Sequence, residues 1–122
     1  MKKFLSIAIA VMTMSACTTR ENPFLAEWNT PYGIPPFDEI QVDDYIPAIK
    51  EGIAQQQKEI EAITSNPDAP TFENTIAPYE ESGEILSKVA GVLYNITETD
   101  RTDEPDSVME AAIPLMTEHS DN

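Results

Sequence analysis

Isoleucines recur between residues 43 and 64 at the spacing of one helical face. Their separations are three, four and seven positions, and the set is Ile46, Ile49, Ile53, Ile60 and Ile63. This periodicity predicts a long amphipathic helix, with glutamines and glutamates on its other faces. Asp43 or Asp44 is a suitable N-cap, and Pro47 is tolerated in the first turn. The Pro- and Asn-containing loop over residues 65–70 ends the helix.

A second apolar stripe begins after residue 70 and predicts a second helix. Its positions step by four and three along Phe72, Ile76, Tyr79, Gly83, Leu86, Ala90 and Leu93. Pro78 lies inside this pattern, so the helix begins at Thr75 or bends at the proline. Gly83 lies on the stripe itself, where the absence of a side chain would let another helix come close.

A third helix is predicted from about Glu104, after a polar, acidic connection over residues 95–106. Its apolar side consists of Val108, Ala111, Ala112, Leu115 and Met116. Pro114 is expected to bend this helix.

The residues before the first helix are predicted to be extended. Prolines at positions 23, 31, 35 and 36 keep the residues before them out of the α region. Apolar side chains are interleaved with them, at Phe24, Leu25, Trp28, Tyr32, Ile34 and Phe37. A flexible tether would be polar, so this segment is interpreted as an arm packed along a body. The fold class predicted is therefore all-α, with an extended arm followed by about three antiparallel helices.

Charge narrows the possible partners. The chain has 122 residues, with 7 Lys+Arg against 22 Asp+Glu and a net charge of −15. Such acidity argues against nucleic acid, whose phosphates attract Lys and Arg. It equally disfavours electrostatic adsorption to anionic lipid. A single cysteine excludes an internal disulfide.

The first sixteen residues have the organisation of a lipoprotein-type signal peptide. Lys2 and Lys3 precede an apolar run, and small residues lead to Cys17. The run is too short to be a permanent membrane span. Cys17 is thus the predicted lipidation site and new N-terminus, which would place the protein in the cell envelope as a periplasmic or outer-membrane lipoprotein. Met14 departs from the aliphatic residue usual three positions before that cysteine. An ordinary export signal with a cysteine near its cleavage site is the alternative.

No catalytic, cofactor-binding or metal-binding residue is predicted from the motifs. The chain contains one histidine, His119, and no HExxH helix, whereas zinc needs three or four ligands in register. His119 is therefore interpreted as an exposed or half-buried helix residue. The acidic residues between 98 and 106 lack the spacing and central glycine of an EF-hand loop. Glycine-rich phosphate loops and a nucleophilic triad are also missing.

Four blocks of sequence resemble one known family. They are NPFL at 22–25, PYGIPPFDEI at 31–40, DYIPAI at 44–49 and PDAPTFENTI at 67–76. In this order they resemble the N-terminal region of bacterial peptidyl-dipeptidases, in the thimet-oligopeptidase-like zinc metallopeptidases. HSDN at 119–122 resembles the point where that region continues into its next helix.

The resemblance implies a much larger enzyme than these residues. The complete family protein is expected to be almost all-α and two-lobed, with a channel for oligopeptide substrates between the lobes. Zinc held by HExxH and a downstream glutamate would activate water to release C-terminal dipeptides. None of those ligands has a matching position here, so the chain alone is expected to bind no zinc and to have no activity.

Three segments follow from the combined interpretation. Residues 1–16 form the signal, 17–42 the lipidated N-terminus and Pro/aromatic arm, and 43–122 a helical region incomplete at its C-terminus. The function expected is that of a non-catalytic fragment forming a helical wall of the substrate channel. The alternative is a small, lipid-anchored acidic helical interaction module of the cell envelope.

Overall fold

The computed structural model describes residues 20–99 and 103–121, and those residues form an all-α structure. Its helices are α1 Tyr45–Thr64, α2 Ala77–Glu81, α3 Glu84–Thr99 and α4 Asp103–Ser120. Short 3-10 turns lie at Pro31–Gly33 and Val42–Asp44. No β-strand occurs within the two described ranges. The all-α prediction is confirmed, while the predicted signal peptide and Cys17 lie outside the described residues.

A single hydrophobic core joins the arm to three helices. Its buried members are Phe24, Tyr45, Ala48, Ile49, Val89, Val92, Leu93, Val108 and Ala112. Phe24 is 1% exposed, and its ring centroid lies 5.1 Å from that of Tyr45 at the start of α1. The predicted packing of the arm is confirmed for Phe24 and Trp28. It is wrong for the other four apolar residues named, which are exposed: Leu25, Tyr32, Ile34 and Phe37.

Gly52 of α1 packs closely against Leu86 of α3. A Cβ atom built on Gly52 would lie 2.9 Å from the backbone nitrogen of Leu86. Because a backbone atom cannot rotate out of the way, glycine is needed for this packing distance. The sequence analysis expected such an approach at Gly83 and did not single out Gly52.

The predicted second helix is in fact two helices, and this part of the prediction is wrong. A π-helical turn at Phe72–Ile76 leads into α2, which accommodates Pro78 in its first turn. The chain leaves the helix at Ser82 and passes through Gly83, whose φ of +75° favours glycine. The first half of the stripe consequently stays outside the core: Phe72, Ile76 and Tyr79 are 65%, 47% and 59% exposed.

The third predicted helix corresponds to α4, but the connection before it and its apolar face differ from the prediction. Helix α3 continues to Thr99, so residues 95–99 are not the connection that their polarity suggested. The buried Thr97 hydroxyl is satisfied within this helix, because it donates to the Leu93 carbonyl at 3.0 Å. Ala111 is exposed although it was assigned to the apolar side, whereas Val108 and Ala112 are buried. The helix is continuous through Pro114.

None of the helices in residues 20–99 and 103–121 has the length and apolarity needed to cross a bilayer.

Candidate functional site

The start of the arm is bound to the N-terminal end of α1. Arg20 Nη2 lies 2.6 Å from both carboxylate oxygens of Asp44, and Arg20 Nη1 donates to the Glu39 carbonyl at 2.9 Å. Asn22 Nδ2 donates to the Asp44 carbonyl at 2.8 Å. Hydrogen bonds between ionised groups are stronger than those between neutral groups. The chain is therefore held in place three positions after Cys17.

Asp44 also organises the turn before α1. Its carboxylate accepts from the Gln41 backbone N–H at 2.7 Å, and Asp44 is 6% exposed. It occupies the N-cap position, as predicted, but its side chain makes no capping hydrogen bond to α1 itself. The carboxylate stabilises the preceding turn and the arm instead.

Trp28 connects the middle of the arm to α3. Its indole N–H donates to the Pro23 carbonyl at 2.9 Å, and Lys88 Nζ lies 5.3 Å from the indole ring centroid. Lys88 also forms an i,i+4 ion pair with Glu84 at 2.7 Å. Its hydrogen bond and positive charge lower the pKa of the Glu84 carboxyl below the usual value.

His119 joins a hydrogen-bond chain that links three parts of the fold. Its Nε2 lies 2.7 Å from Gln56 Oε1 on α1. Gln56 Nε2 in turn lies 3.4 Å from the Ser82 hydroxyl, which donates to the Tyr79 carbonyl at 2.8 Å. Because an amide oxygen can only accept, Nε2 carries the proton. His119 is half-buried, as the sequence analysis expected of a helix residue.

An open groove of about 930 Å³ lies beside α1 and α2, and we call it the α1–α2 groove. Residues on both sides of the break at Ser82–Gly83 line it. Ala62, Ile63 and Pro78 are its apolar members. Four carboxylates also line it: Glu59, Glu80, Glu81 and Glu84.

The donor set of a zinc centre is missing from the described part of the chain. No three His, Cys, Asp or Glu side chains in residues 20–99 and 103–121 come together in a way that could hold a metal ion. The Nε2 atom of His119 is hydrogen-bonded to Gln56 Oε1. The described residues therefore do not fit the zinc that the family resemblance implies.

Comparison with known proteins identifies peptidases as relatives. The chain is 44% identical to dipeptidyl carboxypeptidase of Escherichia coli strain K12 over 86 residues, which is 70% of this chain. It is 42% identical to the Salmonella typhimurium dipeptidyl carboxypeptidase over 90 residues. Oligopeptidase A of Salmonella typhimurium is 23% identical over 99 residues. No family model matches the chain.

The matched stretch is a small part of each relative. It makes up 13% of each of the two dipeptidyl carboxypeptidases. The same two matches take in 70% and 74% of this chain. For oligopeptidase A it amounts to 14%, against 81% of this chain. This chain is thus homologous to dipeptidyl carboxypeptidase and oligopeptidase A, of the thimet-oligopeptidase-like family, and spans 13–14% of the length of these relatives.

Proposed function

We propose that the chain is the N-terminal portion of an exported zinc peptidyl-dipeptidase and forms a helical wall of its substrate channel. One observation carries this proposal: over 70% of its length, the chain is 44% identical to a dipeptidyl carboxypeptidase. The matched stretch is only 13% of that relative. The substrates of the complete enzyme would be oligopeptides, from whose C-terminus it releases dipeptides.

Zinc and catalysis belong to another part of that enzyme in this proposal. The described residues bring no set of metal ligands together, and the sequence contains no HExxH. No catalytic step is therefore assigned to a residue of this chain. Its contribution is a packed helical surface whose shape depends on the close contact of α1 with α3.

We further propose that lipid on Cys17 anchors the protein in the cell envelope. Support comes from the basic residues, the apolar run and the small residues that precede Cys17. Each buried CH₂ of an acyl chain contributes about 0.8 kcal/mol, so two or more chains anchor stably. The acidic body would then stay in water, with the Arg20–Asp44 contact a short distance along the chain from the anchor.

The DNA beyond codon 122 tests the peptidase proposal. An HExxH-coding stretch, in frame or after a frameshift, is the expected result, because the relatives are far longer than the match. A terminator followed by unrelated sequence would contradict the proposal.

The second candidate is a lipid-anchored acidic interaction module that folds on its own. The single core shared by the arm, α1, α3 and α4 favours it. Thermal unfolding tests the module. A chain that binds ANS and melts without cooperativity would contradict it, because an independently folded module unfolds cooperatively.

A further inference from the structure

The arm carries one set of apolar side chains into the core and a second set out to solvent. Phe24 and Trp28 pack on the core. The exposed set, which we call the arm face, consists of Leu25, Tyr32, Ile34 and Phe37. Three of its members fall within residues 32–37. Exposed apolar groups brought together in this way mark an interaction surface.

A constrained turn presents Tyr32 to solvent. Tyr32 is 99% exposed and has a φ of +62°, in the left-handed region that bulky residues seldom adopt. The Gly33 backbone N–H donates to the Thr30 carbonyl at 3.1 Å, and the Thr30 hydroxyl donates to the Ile34 carbonyl. Because these bonds already order the turn, contact with a partner costs less conformational entropy there.

The arm face lies close, along the chain and in space, to the proposed lipid anchor. Arg20 Nη1 donates at 2.9 Å to the carbonyl of Glu39, which follows Phe37 by two positions. Two threonines separate Arg20 from Cys17. Three residues of extended chain span at most about 11 Å, and the headgroup layer on each side of a bilayer is about 5–8 Å thick. Acyl chains on Cys17 would therefore hold this end of the body at the membrane surface.

The charge around the arm face decides which membrane chemistry suits it. The sequence has no Lys or Arg between residues 21 and 49, whereas six carboxylates fall in that range: Glu21, Glu27, Asp38, Glu39, Asp43 and Asp44. Attraction to anionic headgroups is therefore excluded as the source of binding. Tyrosine and other aromatic side chains are enriched at membrane–water interfaces, where their amphipathic rings lie at headgroup level.

We propose that the arm face inserts into the headgroup layer of a zwitterionic phospholipid bilayer, beside the acyl chains on Cys17. The proposal rests on the proposed lipid anchoring, because an anchor keeps the arm face at a high effective concentration next to the bilayer. A second copy of the chain is a poorer occupant, since contact would bring together two bodies that each have a net charge of −15.

Insertion can be measured by quenching of tryptophan fluorescence. The protein is purified in detergent from the membrane fraction and reconstituted into phosphatidylcholine vesicles that carry a nitroxide near the headgroup end of the acyl chain. The indole introduced by Tyr32→Trp should lose about half of its emission, because an inserted ring lies at headgroup depth. The unsubstituted chain supplies the contribution of Trp28. Flotation of the vesicles measures anchoring in the same samples.

A tryptophan at the opposite end of α1 is the positional control. Helix α1 has 20 residues and is therefore about 30 Å long. Ser65 follows its last residue and is exposed. The indole introduced by Ser65→Trp should keep its emission, since the arm lies at the other end of the helix.

Two double variants with the same loss of apolar groups make the test local. In the Tyr32→Trp protein, Ile34→Ser with Phe37→Ser should reduce the quenching about twofold, because the apolar area that inserts is smaller. Phe72→Ser with Ile76→Ser removes the same two residue types from exposed positions outside the arm and should leave the quenching unchanged.

Lipid composition gives an independent check. Replacing part of the phosphatidylcholine with anionic phosphatidylglycerol should lower the quenching, because the acidic arm is repelled, and added salt should restore it. Stronger quenching with phosphatidylglycerol would overturn the proposal, since it would show electrostatic adsorption.

Three other results would also overturn it. They are flotation without quenching of the introduced indole, equal quenching of Tyr32→Trp and Ser65→Trp, and equal effects of the two double variants. Each of these leaves lipid anchoring standing, because flotation reports the anchor separately. Absence of the protein from the membrane fraction would overturn the anchoring and the insertion together.

Discussion

At the scale of single residues, two glycines of neighbouring segments differ in what an added methyl group would meet. Gly83 has a φ of +75°, and a Cβ atom there would lie 2.4 Å from Gln56 Nε2. Gln56 is held by Ser82 and His119, so it cannot move without breaking those contacts. A Cβ atom on Gly91 would have no neighbour within 4 Å, and Gly91 lies inside α3.

Gly83→Ala should lower the free energy of unfolding by about 1–2 kcal/mol, the penalty for an L-residue in the left-handed region. Gly91→Ala should raise it by about 0.5–1 kcal/mol, because alanine has the better helix propensity. Urea denaturation of both variants measures these changes. A stabilising Gly83→Ala would show that α2 and α3 are one continuous helix, as the sequence periodicity had suggested.

At the scale of elements, the sequence predicted α1 and most of α4 because caps, periodicity and loop residues agree there. The break between α2 and α3 was not predicted, since Gly83 falls at a spacing that also fits an uninterrupted stripe. The α1–α2 groove was missed for the same reason, because residues on both sides of that break line it. Gly52 was missed because close packing between two helices depends on which residue of the second helix lies opposite the glycine. The sequence of one helix does not contain that information.

Gly52→Ala tests the contact between α1 and α3. Its Cβ would meet the Leu86 backbone nitrogen at 2.9 Å, and overpacking of this kind destabilises by about 1–3 kcal/mol. The change should appear as a lower urea midpoint with an unchanged slope. Gly91→Ala serves as the control, and equal stability of the two variants would contradict the close packing described here.

Asp44→Ala tests the attachment of the arm to α1. It removes the charge-assisted contacts with Arg20 and the hydrogen bond from Gln41 N–H, and we expect a loss of about 1–3 kcal/mol in unfolding free energy. Asp43→Ala is the control, because Asp43 is exposed and substitutions at such positions stay within about 0.5 kcal/mol. Equal melting temperatures of the two variants would show that the arm is not held by Asp44.

At the scale of the whole molecule, one core and a strongly acidic surface coexist with homology to a small part of a peptidase. The absence of zinc ligands from this chain stays a prediction, which rests on one histidine, one cysteine and no HExxH in the sequence. The extent of the match came only from comparison with relatives, because periodicity within 122 residues does not report the length of a homologous protein.

Cys17→Ser tests the proposed anchoring of the whole protein. Loss of the thiol removes the site of acylation, so the variant should leave the membrane fraction on cell fractionation. Ser15→Ala, which keeps Cys17 and a small residue before it, should remain with the membrane. A Cys17→Ser protein that still sediments with membranes would contradict lipid anchoring.

Under the proposed function, this chain is a non-catalytic, helical part of a peptidyl-dipeptidase. The most direct test is dipeptide release from a blocked oligopeptide by the purified 122-residue chain, measured with added zinc and again with a chelator. No release above background is expected under either condition. Release of C-terminal dipeptides that depends on zinc and stops with the chelator would contradict it.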